Sequence, residues 1–238
     1  TLAQLGEIYI NDAFSVCHRT NPSVTLLPTL MPSYAGLLLE RDIKSLTRVF
    51  EGHEKPLVLI IGGAKASDKI GVVEHFLPKA SSILVGGAAA NTFLKARGEN
   101  IKKSHYEPNM LSVAQSLLHH HNIILPLDFV EHEEQFLDLG DQTIKLFKKH
   151  LKGAKTIIWS GPLGLFEDKR FAKASKTLAK AIVKTKAFSL AGGGQTTQLI
   201  IKMKLGHQFS FLSTGGGAML DFLAGKKLPG IEALKELT

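Results

Sequence analysis

A single cysteine, Cys17, stands in 238 residues, which excludes an intramolecular disulfide and a thiolate zinc cluster and accords with a reducing compartment. Aromatic residues are only 7% of the chain, no RNA- or DNA-binding signature occurs, and the lysines are spread over stretches such as FAKASKTLAKAIVKT. That pattern argues against a nucleic-acid module, which needs a basic stripe and stacking platforms. No apolar run approaches the ~18 residues that span a bilayer. The opening TLAQLGEIYIND lacks the basic and apolar regions of a signal peptide. The expectation is a cytoplasmic protein with no membrane partner. Acidic residues are the scarcer charge: 21 Asp+Glu against 29 Lys+Arg leave +8, an excess that attracts anions, including small phosphorylated ligands.

What is present is enough for a packed core, with 44% apolar and 21% charged residues. From Pro56 onward, short β-branched runs alternate with amphipathic stretches, the pattern of βα units feeding a parallel sheet. The runs are Leu57 to Ile61, Ser82 to Val85, Asn122 to Leu125, Thr156 to Trp159, Ala187 to Leu190 and Phe209 to Leu212. They are continuously apolar, so both faces should be covered by helices. The expected fold is α/β: a three-layer, Rossmann-like domain with a mainly parallel six-stranded sheet. Expected helices are SDKIGVVEHFLPKA, NMLSVAQSLLHHH, TIKLFKKHL, FAKASKTLAKAIVKT and TGGGAMLDFLAG. Before Pro56 come a strand-like EIYINDAF, a Pro-punctuated linker, and a long amphipathic helix from about Tyr34 to Phe50. The chain opens at Thr1 on what reads as a strand with no earlier element to pair with, as if cut at its front. The acidic, aperiodic stretch Glu131 to Gly140 reads as a loop.

Five of the six strands end in glycine: Gly62-Gly63, Gly86-Gly87, Gly161 with Gly164, Gly192 to Gly194, and Gly215 to Gly217. All these ends share one edge of a parallel sheet, where ligands of open α/β folds bind. Glycine could merely make tight turns, but repeated at one edge it favours a phosphate-bearing ligand, met by backbone N–H groups and helix N-termini. Neither GxxxxGK[ST] nor GxGxxG is present, so a P-loop nucleotidase or a dinucleotide oxidoreductase is not directly supported. In GGAKASDKI, Lys65 and Lys69 are four apart, on one face at a helix start. Cations there are disfavoured by ~0.3–1 kcal/mol each. An anionic ligand would compensate them.

Seven segments in order, YINDAFSVCHR, IIGGAKASDKIGV, LVGGAAANTFLKA, LDLGDQT, IIWSGPLGLFE, AGGGQTT and STGGGAMLDFLAGKKLPGIEAL, resemble the phosphoglycerate kinase family, in its carboxyl-terminal, nucleotide-binding domain. The resemblance covers almost the whole chain. It implies a remnant of the amino-terminal substrate domain and hinge over 1–33, an interdomain helix over 34–50 and the nucleotide-binding domain over 51–238. The family activity is reversible phosphoryl transfer between ATP and 3-phosphoglycerate in glycolysis, giving 1,3-bisphosphoglycerate and ADP. The implied cofactor is Mg2+ with ATP/ADP, and 3-phosphoglycerate would be reached through the missing lobe. The implied state is a monomer, and the chain alone is expected to be inactive.

Phosphoryl transfer demands charge neutralisation and alignment more than covalent chemistry. By resemblance, Lys65 follows the transferred phosphoryl group, Lys69 holds the nucleotide phosphates, and Gly215, Gly216 and Gly217 aim N–H groups at the same charge. Gly63, Ala64, Gly87, Leu137, Gly161 and Pro162 resemble the adenosine pocket, and Glu167 the ribose acceptor. Gly193, Gly194, Gln195 and Thr196 fall on the remaining phosphate motif, and Arg19 on a residue that helps bind 3-phosphoglycerate. The family's GGGD[ST] aspartate, which binds magnesium, is replaced by neutral Gln195, leaving Asp68 or water to substitute as a metal ligand. Ser160 and Ala88 also depart from the pattern. Two functions stay open: a working kinase, or a divergent nucleotide-binding protein that has lost phosphotransfer. The run His119, His120 and His121 reads as a solvated helix end, and Cys17 as packing.

Overall fold

A computed structural model describes residues 2–235. Thr1 and residues 236–238 lie outside the described residues, and with them the reading of Thr1 as an entry into a strand. Strands in chain order are β1 (Tyr9–Asn11), β2 (Ser33–Ala35), β3 (Leu57–Ile61), β4 (Ser82–Val85), β5 (Ile123–Ile124), β6 (Phe129–His132), β7 (Gln135–Leu139), β8 (Thr156–Ser160), β9 (Phe188–Gly192) and β10 (Phe211–Ser213).

Six of them form the main sheet in the order β10-β9-β8-β3-β4-β5, with every neighbouring pair parallel. The chain starts at β3, runs outward to β5, returns to β8 and runs outward the other way to β10. The reversal leaves a crevice outside the carboxyl ends of β3 and β8, the topological switch point of a doubly wound sheet. The expected α/β architecture with a parallel six-stranded sheet is the one observed.

Alternation along the central strands accounts for three layers. Leu57, Leu59 and Ile61 enter one hydrophobic cluster, and Val58 and Ile60 the other, because successive side chains leave a strand on opposite faces. The first cluster is closed by helices Leu37–Gly52, Ser67–Phe76, Gly87–Ala96, Leu111–Leu117 and Gly216–Leu223. The second is closed by Asp141–Leu151, Lys173–Val183 and Gly194–Lys202. Cys17 is fully buried in the first cluster with Phe14, in keeping with a packing role.

Three readings change. The Glu131–Gly140 stretch is mostly strand, since β6 and β7 pair antiparallel, with Phe129 opposite Leu139 and His132 opposite Gln135. Its two-residue turn is Glu133 (φ 50) and Glu134 (φ 62), a left-handed pair usually made by Asn-Gly, so no turn residue marked it. The long helix begins at Leu37 instead of Tyr34. Tyr34 lies in β2, which pairs parallel with β1. Asp12 fixes that helix start from a distance, its Oδ1 accepting from the N–H groups of Leu38 and Leu39 at 2.6 and 2.9 Å. The helices Gly87–Ala96 and Gly194–Lys202, and the Pro229–Lys235 helix, were not expected. The first two begin inside glycine turns, whose poor helix propensity hides them.

Candidate functional site

The turns after β3 and β8 touch at the switch point. Gly62 N–H donates to the Ser160 carbonyl at 2.9 Å, and Gly63 N–H to the Pro162 carbonyl at 2.7 Å. A Cβ at Gly62 would sit 2.2 Å from the Pro162 oxygen, and one at Gly161 2.1 Å from the Gly62 oxygen. Glycine is required here for backbone to meet backbone, a reason distinct from room for a phosphate.

On one side of this contact opens a polar cavity of about 730 Å3. Its walls include Lys65, Asp68, Lys69, Gly161, Gly193, Gly194, Gln195, Thr196, Gly216 and Gly217. The two lysines do not share a helix face: the helix begins at Ser67, so Lys65 stands exposed in the preceding turn while Lys69 is only 8% exposed. Lys69 Nζ donates to the Lys65 carbonyl at 3.2 Å. Burial pushes the Lys69 ammonium below its ordinary pKa, with Lys65 adding to the effect and Asp68 and Glu107 opposing it. Glu107 holds the helix start, accepting from the N–H and hydroxyl of Ser67, both at 2.8 Å. The buried Thr196 hydroxyl accepts from Gly161 N–H at 2.8 Å, tying the β9 turn to the β8 turn. Gly215 does not line the cavity; a Cβ there would meet the Phe14 ring at 2.6 Å. Arg19 is exposed and also outside it, whereas its neighbour His18 is in the wall.

On the other side lies a narrower, more apolar cleft of about 320 Å3. Gly63, Ala64, Gly87, Leu137, Pro162 and Glu167 line it together, while Gly161 lines the polar cavity. The hairpin contributes Phe129 and Phe136, whose rings stack 4.3 Å apart. Asn91, His105 and Asp138 are further wall residues to which the sequence reading gave no role. Asp138 is 2% exposed, and burial pushes its carboxyl up to about 6, against backbone donors at Ala174, Leu139 and Lys173.

Gly63, Ala64 and Gln195 belong to both walls, so the two spaces meet there. At the junction Gln195 Nε2 donates to Glu167 Oε1 at 2.8 Å. That bond bears on a metal. A hard dication beside phosphates takes carboxylate oxygens, but position 195 presents an amide, and the amide is engaged with Glu167. Asp68 stands alone on its helix turn, and Asp221, also in the cavity wall, pairs with Lys226 at 2.7 Å. Among the described residues no group of three or more His, Cys, Asp or Glu could hold a metal ion. The carboxylates in this cavity wall are Asp68 and Asp221, so a magnesium ion there would be held largely by nucleotide oxygens and water. His119, His120 and His121 are exposed beyond the end of the Leu111–Leu117 helix.

Comparison with known proteins gives the same direction. The profile of the phosphoglycerate kinase family matches residues 1–226. The chain belongs to the phosphoglycerate kinase family. A phosphoglycerate kinase of Finegoldia magna is 39% identical over 259 residues, which take in 99% of this chain and 66% of that protein. The solved phosphoglycerate kinase structure from Coxiella burnetii superposes with a TM-score of 0.88 at 36% identity, covering 99% of this chain and 67% of its own. That from Pyrococcus horikoshii gives 0.89 at 30% identity, covering 100% and 66%. The chain therefore spans about two thirds of the length of the phosphoglycerate kinases it matches. Among the described residues no helix is long and apolar enough to cross a membrane.

Proposed function

We propose that the crevice binds an adenine nucleotide, base in the apolar cleft and phosphates in the polar cavity, as the nucleotide-binding lobe of a phosphoglycerate kinase. The observation that carries this reading is the junction of a narrow apolar space with a lysine-bearing polar space at the switch point of the sheet. Residues 51–238 would form that lobe, with residues 34–50, most of them in the Leu37–Gly52 helix, as the connector and residues 1–33 as part of the substrate lobe. In this reading Lys69, buried beside the Gly63 turn, holds the nucleotide phosphates. Lys65, exposed in the turn, follows the phosphoryl group as it moves between ATP and the carboxylate of 3-phosphoglycerate. N–H groups of Gly193, Gly194, Gly216 and Gly217 supply fixed dipoles to the same charge. Glu167 would meet the ribose from the junction, and Arg19 would contribute to the acceptor side. The chain alone would not turn over 3-phosphoglycerate, because most residues for that substrate would lie on the remaining third of the protein.

Isothermal titration with ADP tests the reading directly: binding with micromolar to millimolar affinity is expected, and no heat of binding at millimolar ADP would overturn it. The Gln195–Glu167 hydrogen bond favours a second reading, nucleotide binding without phosphotransfer. Titrations with and without magnesium separate the two. Affinity that rises with magnesium supports the kinase, and affinity indifferent to it supports the second reading.

A further inference from the structure

Asn91 is a polar residue in the wall of the apolar cleft that none of the roles above uses. It sits in the middle of the Gly87–Ala96 helix, is 3% exposed, and shares the wall with Ala88, Phe129, Phe136 and Leu137. Its Nδ2 donates to the His105 carbonyl at 3.0 Å. That bond fixes the amide orientation, because the reverse would set two oxygens against each other. The Oδ1 is buried and has no hydrogen-bond partner. A buried acceptor without a donor is penalised, and the surrounding wall is largely hydrocarbon. A ligand that brings an N–H group into the cleft removes the penalty.

We propose that Asn91 is a specificity-determining residue for the base, its Oδ1 accepting a hydrogen bond from the exocyclic 6-amino group of adenine. The inference rests on the nucleotide reading above and adds which feature of the base is recognised. A fixed acceptor distinguishes a purine that donates at that position from one that cannot, because the unsuitable ligand leaves the acceptor buried and unpaired.

The test compares ADP with purine riboside 5′-diphosphate, which carries hydrogen in place of the 6-amino group, by titration calorimetry on this chain. ADP is expected to bind at least tenfold more tightly. In Asn91→Leu the ratio should fall below threefold, through weaker ADP binding with the deaminated ligand little changed. Far-ultraviolet circular dichroism checks that the variant is folded, and the two-ligand comparison on the unmodified chain decides the matter even if it is not. Equal affinities for the two ligands would overturn the role of Asn91 while leaving the nucleotide site standing, as would full discrimination retained by folded Asn91→Leu. Absence of ADP binding would overturn both.

Discussion

The glycines that end β3 and β8 and those that follow β9 share one edge of one sheet, in opposite surroundings. Gly62 and Gly161 are pressed backbone to backbone, and a Cβ at either would lie within 2.2 Å of a carbonyl oxygen. Gly194 has nothing within 4 Å of a built Cβ, and Gly193, held at φ +96, has nothing nearer than 3.9 Å. The first pair closes the switch point so that two spaces can meet across it. The second leaves a turn open to whatever fills the polar cavity. Identical residues at equivalent strand ends thus do structural work in one place and leave space for a ligand in the other.

The largest effect expected from this contrast is on stability at the closed pair. Gly62→Ala should destabilise by about 3 kcal/mol or more, because the obstacle is backbone and no side chain can swing away. Urea unfolding measures it, and a loss below about 1 kcal/mol would show that the two turns separate cheaply. Next comes the charge beside the open turn. Lys69→Met should lower ADP affinity at least tenfold, in line with the 1.5–3 kcal/mol of a hydrogen bond to a charged group, and Lys65→Ala should lower it less. Equal losses would remove the distinction drawn between the enclosed and exposed lysines.

The sheet was legible because β3, β4 and β8 are continuous apolar runs, a signature of strands covered on both faces. The hairpin was not, because Glu133 and Glu134 occupy left-handed turn positions that sequence rules give to Asn and Gly. The long helix was placed three residues early because Tyr34 continues its apolar period, yet β-pairing with Ile10 claims it. Within the site, Lys65, Lys69 and the Gly193–Thr196 turn do line one cavity, and the resemblance supplied them. Asn91 and His105 are 14 residues apart in no shared motif, and the Gln195–Glu167 bond spans 28 residues. Only folding juxtaposes such pairs. Gly215 was grouped with the cavity glycines by motif order, which cannot report that Phe14 covers it.

A smaller effect distinguishes another packed glycine. A Cβ at Gly164 would meet Asp138 Oδ1 at 2.3 Å, so the β8 turn is closed against a buried acid. Burial raises that carboxyl from 3.8 to about 6, so the folded protein holds the proton more tightly than the unfolded chain. The stability this gives is complete below about pH 4 and is lost as pH rises through about 6. The unfolding free energy of the parent chain minus that of Asp138→Asn should therefore fall between pH 4 and 7. A difference that does not change with pH would mean Asp138 is not enclosed as described.

Gly194→Ala should have the smallest effect on stability and is the sharpest test of the open turn. Gly194 opens the Gly194–Lys202 helix without a left-handed φ, so alanine fits the backbone and restricts the unfolded chain, a gain of up to about 0.4–1 kcal/mol. Nothing protein-borne resists the methyl. If a phosphate approaches the N–H groups of this turn, the methyl stands in its path and ADP affinity should fall several-fold while the melting temperature holds or rises. The closed pair predicts the reverse ordering, with stability lost first. A Gly194→Ala chain that keeps both its stability and its ADP affinity would leave the β9 turn as empty space, and would move the phosphate-binding role to the Lys69 side of the cavity.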